Sequence, residues 1–248
     1  MRALSRTQIK KLKKTGQVKD ETELRNRVKT TGLLLKNIRP STDTQYSAFN
    51  SYRGGQNLLL HGLPGTGKTF ISLYLALESV LNGYQYDRVI IIRSVVPTRD
   101  MGFLPGNQKE KSKVYETPYY NICNELFERG DAYDNLKNRG TVEFMTTSFV
   151  RGITLNNCVV VVDEVNNMTF HELDSLITRM GDNARLIMCG DFRQSDLKYQ
   201  DERRGLHDFM SILKRLEGFD HIEFNVDDIV RSGLVRQYII NKAEMGLI

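Results

Sequence analysis

The sequence has few cysteines and no long apolar run, and both features limit the classes of protein to which the chain can belong. The 248 residues include only three cysteines, Cys123, Cys158 and Cys189, and no C-x-x-C pair. Cys158 and Cys189 lie in predicted strands, so we expect them to be reduced core residues of a cytoplasmic protein, and we expect no structural zinc site. No stretch approaches the roughly 20 apolar residues of a membrane span. The N-terminus leads into lysines rather than a secretory hydrophobic region, so neither a membrane nor a secretory pathway is expected.

The positive charge of the chain is unevenly distributed. Residues 1–39 carry twelve Lys or Arg and three acidic residues, whereas the remainder holds more acids than bases. Such an arm either holds a nucleic-acid backbone by counterion release or forms a solvated basic helix without a specific partner. We place a domain boundary near residue 38, with a basic N-terminal arm over 1–38 and one folded domain over 39–248.

A glycine-rich stretch after a short apolar strand carries the clearest chemical signal. It matches G-x-x-x-x-G-K-[ST] without a mismatch and leads into apolar residues at helical spacing. The glycines allow main-chain N–H groups to converge on phosphate oxygens, at the positive end of a new helix. Lys68 is expected to reach the β- and γ-phosphates, and Thr69 to supply a hydroxyl ligand to Mg²⁺. The predicted nucleotide-binding residues are Gly62, Leu63, Pro64, Gly65, Thr66, Gly67, Lys68 and Thr69.

Apolar strands alternate with helical segments along the rest of the chain. Each strand is too apolar to have a wet face, which predicts an α/β domain with a mainly parallel sheet flanked by helices. Near residue 45 we predict a capped helix with Tyr46 and Phe49 facing inward, and residues 109–113 are predicted as a charged loop. Strands are predicted at 58–60, 88–92, 142–145, 159–162, 185–189 and 222–224, and helices after 69, at 118–129, 169–180 and 205–216, and from 227 to 243 with a break at 232–233.

Two acidic residues follow the most apolar strand, four valines at 159–162. We predict that Asp163 is a ligand of Mg²⁺ and that Glu164 orients the attacking water. A lone Asp-Glu pair usually marks a surface turn, but this position behind a buried strand predicts the second half of a nucleotide-hydrolysing site.

Three further polar residues are candidates for the same site. Gln194 follows a strand that delivers it to the same sheet edge, where it either contacts the γ-phosphate or the attacking water or belongs only to a polar turn. Arg231 is a candidate phosphate-contacting arginine, although an arginine beside two acids often forms only a surface salt bridge. Gln45 would read an adenine edge with its amide.

These stretches together resemble the PhoH family of P-loop ATPases, whose cores are similar to superfamily 1 helicases. The resemblance covers roughly residues 40–245 and rests on 62–69, 102–106, 151–156, 163–164, 178–181, 190–197 and 228–235. The chain departs from the family pattern at Val165 and Asn166, where the family has Ala-Gln, and at Ser94, where it has Pro.

The resemblance implies a RecA-like P-loop NTPase fold, ATP with Mg²⁺, and a helicase-related activity. It makes Gln194 a γ-phosphate sensor, Gln45 an adenine contact and Arg231 an arginine finger, acting in its own or a neighbouring subunit. Longer relatives carry a nuclease domain for which 39 residues are too few, so we expect no built-in ribonuclease. Nucleic-acid contacts are implied at Arg93, Ser94 and Thr98, and predicted at Arg151.

The leading hypothesis is a cytoplasmic, Mg²⁺-dependent ATPase coupled to binding or unwinding of RNA or single-stranded DNA. The alternative is a nucleotide-dependent switch or assembly protein with slow hydrolysis and no helicase activity. A small-molecule kinase is disfavoured because residues 99–115 contain a single arginine, Arg99, and not an arginine-rich lid. Superfamily 1 motors close two lobes of roughly 150 to 200 residues around the nucleotide. This chain holds one lobe, so we predict a homo-oligomer, with a ring as one arrangement.

Overall fold

The structure, a computed structural model, describes residues 33–82, 85–94, 108–192, 197 and 199–247, with backbone only over 108–113. The basic arm lies outside these residues except for its last six positions. Thr98, Gln194 and the motif at 102–106 also lie outside them, so the predictions made there stay predictions.

Six parallel strands form one sheet at the centre of the described chain. The order across the sheet is β3-β2-β4-β5-β1-β6, and every neighbouring pair is parallel. β5 therefore lies between the strand before the phosphate loop and the strand before the acidic pair. The strands are β1 (Asn57–Gly62), β2 (Arg88–Arg93), β3 (Val142–Thr146), β4 (Cys158–Asp163), β5 (Ala184–Gly190) and β6 (Phe219–Phe224).

Both faces of the central strands are buried. Side chains alternate along a strand, so Val159 and Val161 enter one apolar cluster while Val160 and Val162 enter the other. This two-sided burial explains why the strands are apolar without interruption. The helices are α1 (Asp43–Arg53), α2 (Lys68–Leu81), α3 (Gln108–Phe127), α4 (Ala132–Asn138), α5 (Phe170–Ile177), α6 (Gln200–Leu213) and α7 (Gly233–Glu244).

The predicted α/β class and parallel sheet are confirmed, but two helices begin earlier than expected. α3 begins at Gln108, so residues 109–113 are helical and not the predicted loop, and the helix passes through Pro118. Lysine and glutamate favour helix without adding apolar periodicity, so the apolar pattern does not reveal this start. α6 begins at Gln200, with Gly205 inside it; a side chain at 205 would meet the Cβ atom of Phe170 at 2.9 Å.

The predicted burial of Tyr46 is wrong. Tyr46 is 58% exposed, whereas Gln45 beside it is 4% exposed and Phe49 is buried as expected. Thr42 caps α1 by accepting a hydrogen bond from the Gln45 backbone N–H. The predicted capped start is therefore correct, but the polar Gln45 takes the inward position expected for the aromatic Tyr46.

The segment before α1 packs on the core without forming a helix or a strand. Leu33 is buried, and Leu35 and Ile38 pack against the same apolar cluster. The Lys36 backbone N–H also donates to the carbonyl of Leu126 in α3. Among the residues with described placement, no helix is long and apolar enough to cross a bilayer.

Candidate active site

The glycine-rich loop between β1 and α2 is tightly fitted against the end of β6. Gly62 has a φ of 114°, and a Cβ atom there would lie 2.1 Å from the carbonyl oxygen of Phe224. The same carbonyl accepts a hydrogen bond from the Leu63 N–H at 3.0 Å. Only glycine satisfies both the left-handed backbone and this close approach at residue 62.

Lys68 lies inside the loop that precedes it. Its Nζ atom donates to the carbonyl oxygens of Gly62 at 2.9 Å and Leu63 at 2.6 Å, and to the Thr66 hydroxyl at 3.3 Å. Burial lowers the pKa of Lys68, while Cys189 and the carboxylates of Asp191, Asp163 and Glu164 partly offset that effect. The ammonium group is thus held at the loop by acceptors that phosphate oxygens would replace.

Thr69 and Asp163 meet at the first turn of α2, although they are far apart in the chain. The Thr69 hydroxyl donates to Asp163 Oδ1 at 3.0 Å. The other oxygen, Oδ2, accepts from the hydroxyl of Tyr119 at 2.9 Å. Asp163 is 6% exposed and Tyr119 is completely buried, so the carboxylate is oriented from both sides.

Glu164 follows at the point where the chain leaves β4. Its backbone is left-handed, with φ 55° and ψ 44°, a conformation that costs free energy in a residue other than glycine and is common at functional sites. Burial and the neighbouring charge of Asp163 raise the pKa of Glu164, and Arg93 and Lys68 oppose that rise.

Arg93 ends β2, the strand next to β4, and its guanidinium faces this pair of acids. Its Nη2 atom lies 3.7 Å from Glu164 Oε1. Burial acts to lower the pKa of Arg93, but the Tyr119 hydroxyl, Asp163 and Glu164 outweigh it and raise the pKa. Arg93 was predicted as a nucleic-acid contact, and the structure places it at the acidic end of the pocket.

Gln45 joins the start of α1 to the phosphate loop. Its Nε2 donates to the carbonyl of Thr66 at 3.0 Å, and its Oε1 accepts from the Ser41 N–H at 2.9 Å. One amide hydrogen and one lone pair remain for a base edge. The amide therefore supports the loop in addition to any contact with adenine.

Arg231 approaches the phosphate loop of its own chain. The Val230 N–H donates to the carbonyl of Gly65 at 3.1 Å. A Cβ atom at Gly65 would lie 3.0 Å from Arg231 Cγ and 3.1 Å from Ile239 Cδ1. Arg231 lines the pocket, and no described carboxylate forms with it the surface salt bridge that was the alternative to a phosphate contact.

The carboxyl ends of β4 and β5 are joined by Asn166, one of the departures from the family pattern. Its Oδ1 accepts a hydrogen bond from the Asp191 N–H at 2.9 Å. A side chain at Gly190 would collide with that oxygen at 2.9 Å. The segment that leads to Gln194 therefore starts at the same sheet edge as Glu164.

Of the other predicted nucleic-acid residues, Ser94 and Arg151 do not line the pocket, and Thr98 lies outside the described residues. Ser94 is buried, and its hydroxyl donates to Glu172 at 3.3 Å. Arg151 is exposed in the turn after β3, two residues beyond Phe149, an aromatic side chain that is 54% exposed.

One open pocket of about 720 Å³ brings most of the predicted site together. This volume lies within the range of about 300 to 1,000 Å³ seen for small-molecule sites. Thr69 and Asp163 offer the oxygen ligands that Mg²⁺ prefers when phosphates and water complete its shell. No described cluster of three or more His, Cys, Asp or Glu provides an all-protein metal site. The predicted residues that line the pocket are Gln45, Pro64, Gly65, Thr66, Gly67, Lys68, Thr69, Arg93, Asp163, Glu164 and Arg231.

Sequence reasoning identified no polar role for Tyr119, which lies in the helix predicted at 118–129. A tyrosine in the buried stripe of a helix needs a partner for its hydroxyl, and that requirement is the signal that was available. Nothing in the sequence identified Asp163 as the partner.

The comparisons with known proteins agree with the motif pattern. The family model described as "PhoH-like protein" matches residues 37–242. A PhoH-like protein of Synechocystis is 37% identical over 72% of this chain and 54% of its own length. A PhoH-like protein of Bacillus subtilis is 31% identical over 82% of this chain and 63% of its own length.

Similarity to solved structures is weaker. The large terminase of a thermophilic bacteriophage has a TM-score of 0.48 at 12% identity, covering 82% of this chain and 50% of the terminase. The chain spans between about half and two thirds of the length of the curated relatives it matches. On the family match over most of its residues, the chain belongs to the PhoH-like protein family.

Proposed function

We propose that this chain binds ATP with Mg²⁺ and hydrolyses it, and that hydrolysis is coupled to binding or unwinding of RNA or single-stranded DNA. The observation that carries the ATPase proposal is the 3.0 Å hydrogen bond between Thr69 and Asp163 at the mouth of the phosphate loop. It brings a hydroxyl and a carboxylate from distant parts of the chain to the first turn of the helix that Lys68 begins.

Each pocket residue has a role that its position supports. The loop N–H groups and Lys68 would hold the β- and γ-phosphates, and Thr69 and Asp163 would hold Mg²⁺, which neutralises phosphate charge when bound. Glu164 would accept a proton from the attacking water. Arg231, acting in cis, would offset negative charge that develops on the transferred group.

Replacing Lys68 and Glu164 separates nucleotide binding from hydrolysis. Lys68→Ala should abolish turnover because the phosphates lose their main cation. Glu164→Gln should keep ATP bound while turnover falls at least about a hundredfold, the usual contribution of a general base. Turnover and fluorescent-nucleotide affinity would be measured together, with exposed Lys214→Ala as the control. Normal hydrolysis by Glu164→Gln would refute its role.

The nucleic-acid half of the proposal is supported by the exposed pair Phe149 and Arg151, near the carboxyl edge of the sheet. An exposed aromatic can stack a base while an arginine contacts the backbone. The basic arm provides further cationic residues in the sequence. The alternative is a nucleotide-dependent switch that uses the same pocket. Its hydrolysis of ATP would be slow until a partner accelerates it, whereas a motor would hydrolyse ATP continuously.

ATPase rate and affinity should be measured with single-stranded RNA, single-stranded DNA and duplex DNA across a salt series. Arg151→Ala should weaken binding and reduce the salt slope by about one unit, because one backbone contact is lost. Arg129→Ala, an exposed arginine paired with Asp131, is the matched control. Unchanged ATPase rate and absent binding with every nucleic acid would remove this half of the proposal and favour the switch.

A further inference from the structure

The burial of Arg93 does not suit a contact with a nucleic-acid backbone. Its side chain is 22% exposed, and in the parallel pairing of β2 with β4 it stands opposite Asp163. It also lines the same pocket as Lys68. Its guanidinium is therefore directed toward the phosphate site.

The contacts of Arg93 fix its orientation. Its Nη2 atom lies 3.7 Å from Glu164 Oε1, and its charge interacts with the Tyr119 hydroxyl and with Asp163. Tyr119 is itself tied to Asp163 at 2.9 Å. The arginine thus stands on a buried strand, between the buried Tyr119 and the partly exposed carboxylate of Glu164.

Glu164 needs such a partner more than Asp163 does. Asp163 accepts hydrogen bonds from two hydroxyl groups, whereas Glu164 has one described side-chain hydrogen bond, with Asn166, is 41% exposed at its side chain and extends from a left-handed backbone. Two adjacent carboxylates also repel each other, so a cation beside the second one decides where its oxygens rest. A planar guanidinium restricts the carboxylate more than a point charge would.

We propose that Arg93 is a positioning residue of the ATPase site, which holds the Glu164 carboxylate over the pocket so that it meets the attacking water. This inference rests on the ATPase activity proposed above and assigns to Arg93 a role other than the predicted nucleic-acid contact. Arg93 acts through Glu164, without bonding to the transferred phosphate.

The first experiment measures kcat and KM for ATP in Arg93→Ala and Arg93→Lys. We expect Arg93→Ala to lower kcat about 10- to 100-fold, the range for a misplaced reacting group, and to leave KM within about threefold. Arg93→Lys should recover part of kcat because it returns the charge without the planar group. An increase in kcat would mean that the pair restrains Glu164 and would overturn the proposal.

The second experiment is a double-mutant cycle with Glu164→Gln. If Arg93 acts through Glu164, adding Arg93→Ala to Glu164→Gln should change the remaining rate by less than about twofold. If the rate loss of the double variant equals the product of the losses of the two single variants, Arg93 acts on the phosphate independently of Glu164. A fall in nucleic-acid affinity of Arg93→Ala with unchanged kcat would restore the nucleic-acid role and overturn the proposal.

The matched control lies at the other end of the same strand. Arg88 pairs with Glu143 at 3.3 Å, with side chains 32% and 43% exposed. Arg88→Ala should leave kcat unchanged, and equal losses in both arginine variants would indicate damage to the sheet and overturn the proposal. If the wild-type chain does not hydrolyse ATP, the ATPase proposal itself is refuted. If Lys68→Ala loses turnover but Arg93→Ala keeps it, the ATPase proposal stands and only the role of Arg93 is refuted.

Discussion

The Asp163 carboxylate is held by two hydroxyl donors that come from different helices. Thr69 in α2 donates to one oxygen and Tyr119 in α3 donates to the other, at 3.0 and 2.9 Å. Desolvation by burial, followed by the charge of Asp163, raises the pKa of Tyr119 well above its ordinary value. Tyr119 therefore stays a neutral donor and fixes the lone pairs that a metal would use.

Tyr119→Phe should weaken the response to magnesium without unfolding the protein. The variant keeps the ring but leaves Asp163 Oδ2 without its donor, and partners of metal ligands typically affect metal affinity about 10- to 100-fold. The Mg²⁺ concentration for half-maximal nucleotide binding should rise accordingly. Tyr120→Phe, which removes a hydroxyl that donates to the Gly130 carbonyl, is the control. Equal magnesium dependence in both variants would reduce Tyr119 to a core residue.

At this scale most of the nucleotide-site residues predicted from the sequence line the pocket, but their hydrogen-bond and ion-pair partners were not predicted. The phosphate loop was recognisable because a spacing of glycines and Lys68 encodes a backbone shape. Asp163 and Glu164 were recognisable because a buried strand stops there. The hydrogen bond from Tyr119 and the ion pair to Arg93 depend on side-chain contacts across strands and helices, which no local pattern encodes.

Among the secondary-structure elements, α5 is tied to two strand ends through one carboxylate. Glu172 belongs to the capping box of α5 with Thr169. It also accepts hydrogen bonds from Ser94, after β2, and from Thr147, after β3. Glu172 therefore caps α5 and also links this helix to the residues that follow β2 and β3.

Glu172→Gln should lower the free energy of unfolding by about 1 to 3 kcal/mol, because several donors lose a charged acceptor in a partly buried place. Urea denaturation of the full chain would measure it. Asp174→Asn, at an exposed position of the same helix, should change stability by less than about 0.5 kcal/mol. Similar values for both variants would contradict the connecting role of Glu172.

Element types were easier to predict than element limits. The strands followed from apolar runs, because burial on both faces leaves a strong signal. The start of α3 was missed because residues 109–113 carry lysines and no regular apolar stripe. The helix predicted at 205–216 begins at Gln200, and its interior Gly205 permits close packing against Phe170, a tertiary reason that no local pattern encodes.

On the scale of the whole molecule, α7 packs against the phosphate loop through Ile239 and Gly65. Ile239 is the buried residue of α7 and points at Gly65, while Leu234, Val235 and Tyr238 are 82%, 51% and 65% exposed. This apolar surface adjoins the pocket wall that carries Arg231. Exposed apolar side chains that lie together are typical of a contact with another protein, so this surface supports the predicted homo-oligomer.

Light scattering after gel filtration, with and without nucleotide, should therefore detect an oligomer. Leu234→Asp should shift the protein toward monomer, because a charge would have to be buried in the contact. Ile212→Asp, at an exposed position of α6, should leave the size unchanged. A monomer under every condition would contradict the homo-oligomer, and equal effects of both variants would place the contact elsewhere.

The closeness of Gly62 to the Phe224 carbonyl has a consequence for protein engineering. The main chain of β6 lies directly behind the phosphate loop, so no side chain can be added at residue 62 to change the shape of the nucleotide pocket. Elsewhere the loop faces a side chain, since a Cβ atom at Gly67 would lie 3.7 Å from Val230 Cγ2, and Val230 lines the pocket. Any redesign toward another nucleotide or a bulkier analogue would have to start from Val230 and not from residue 62.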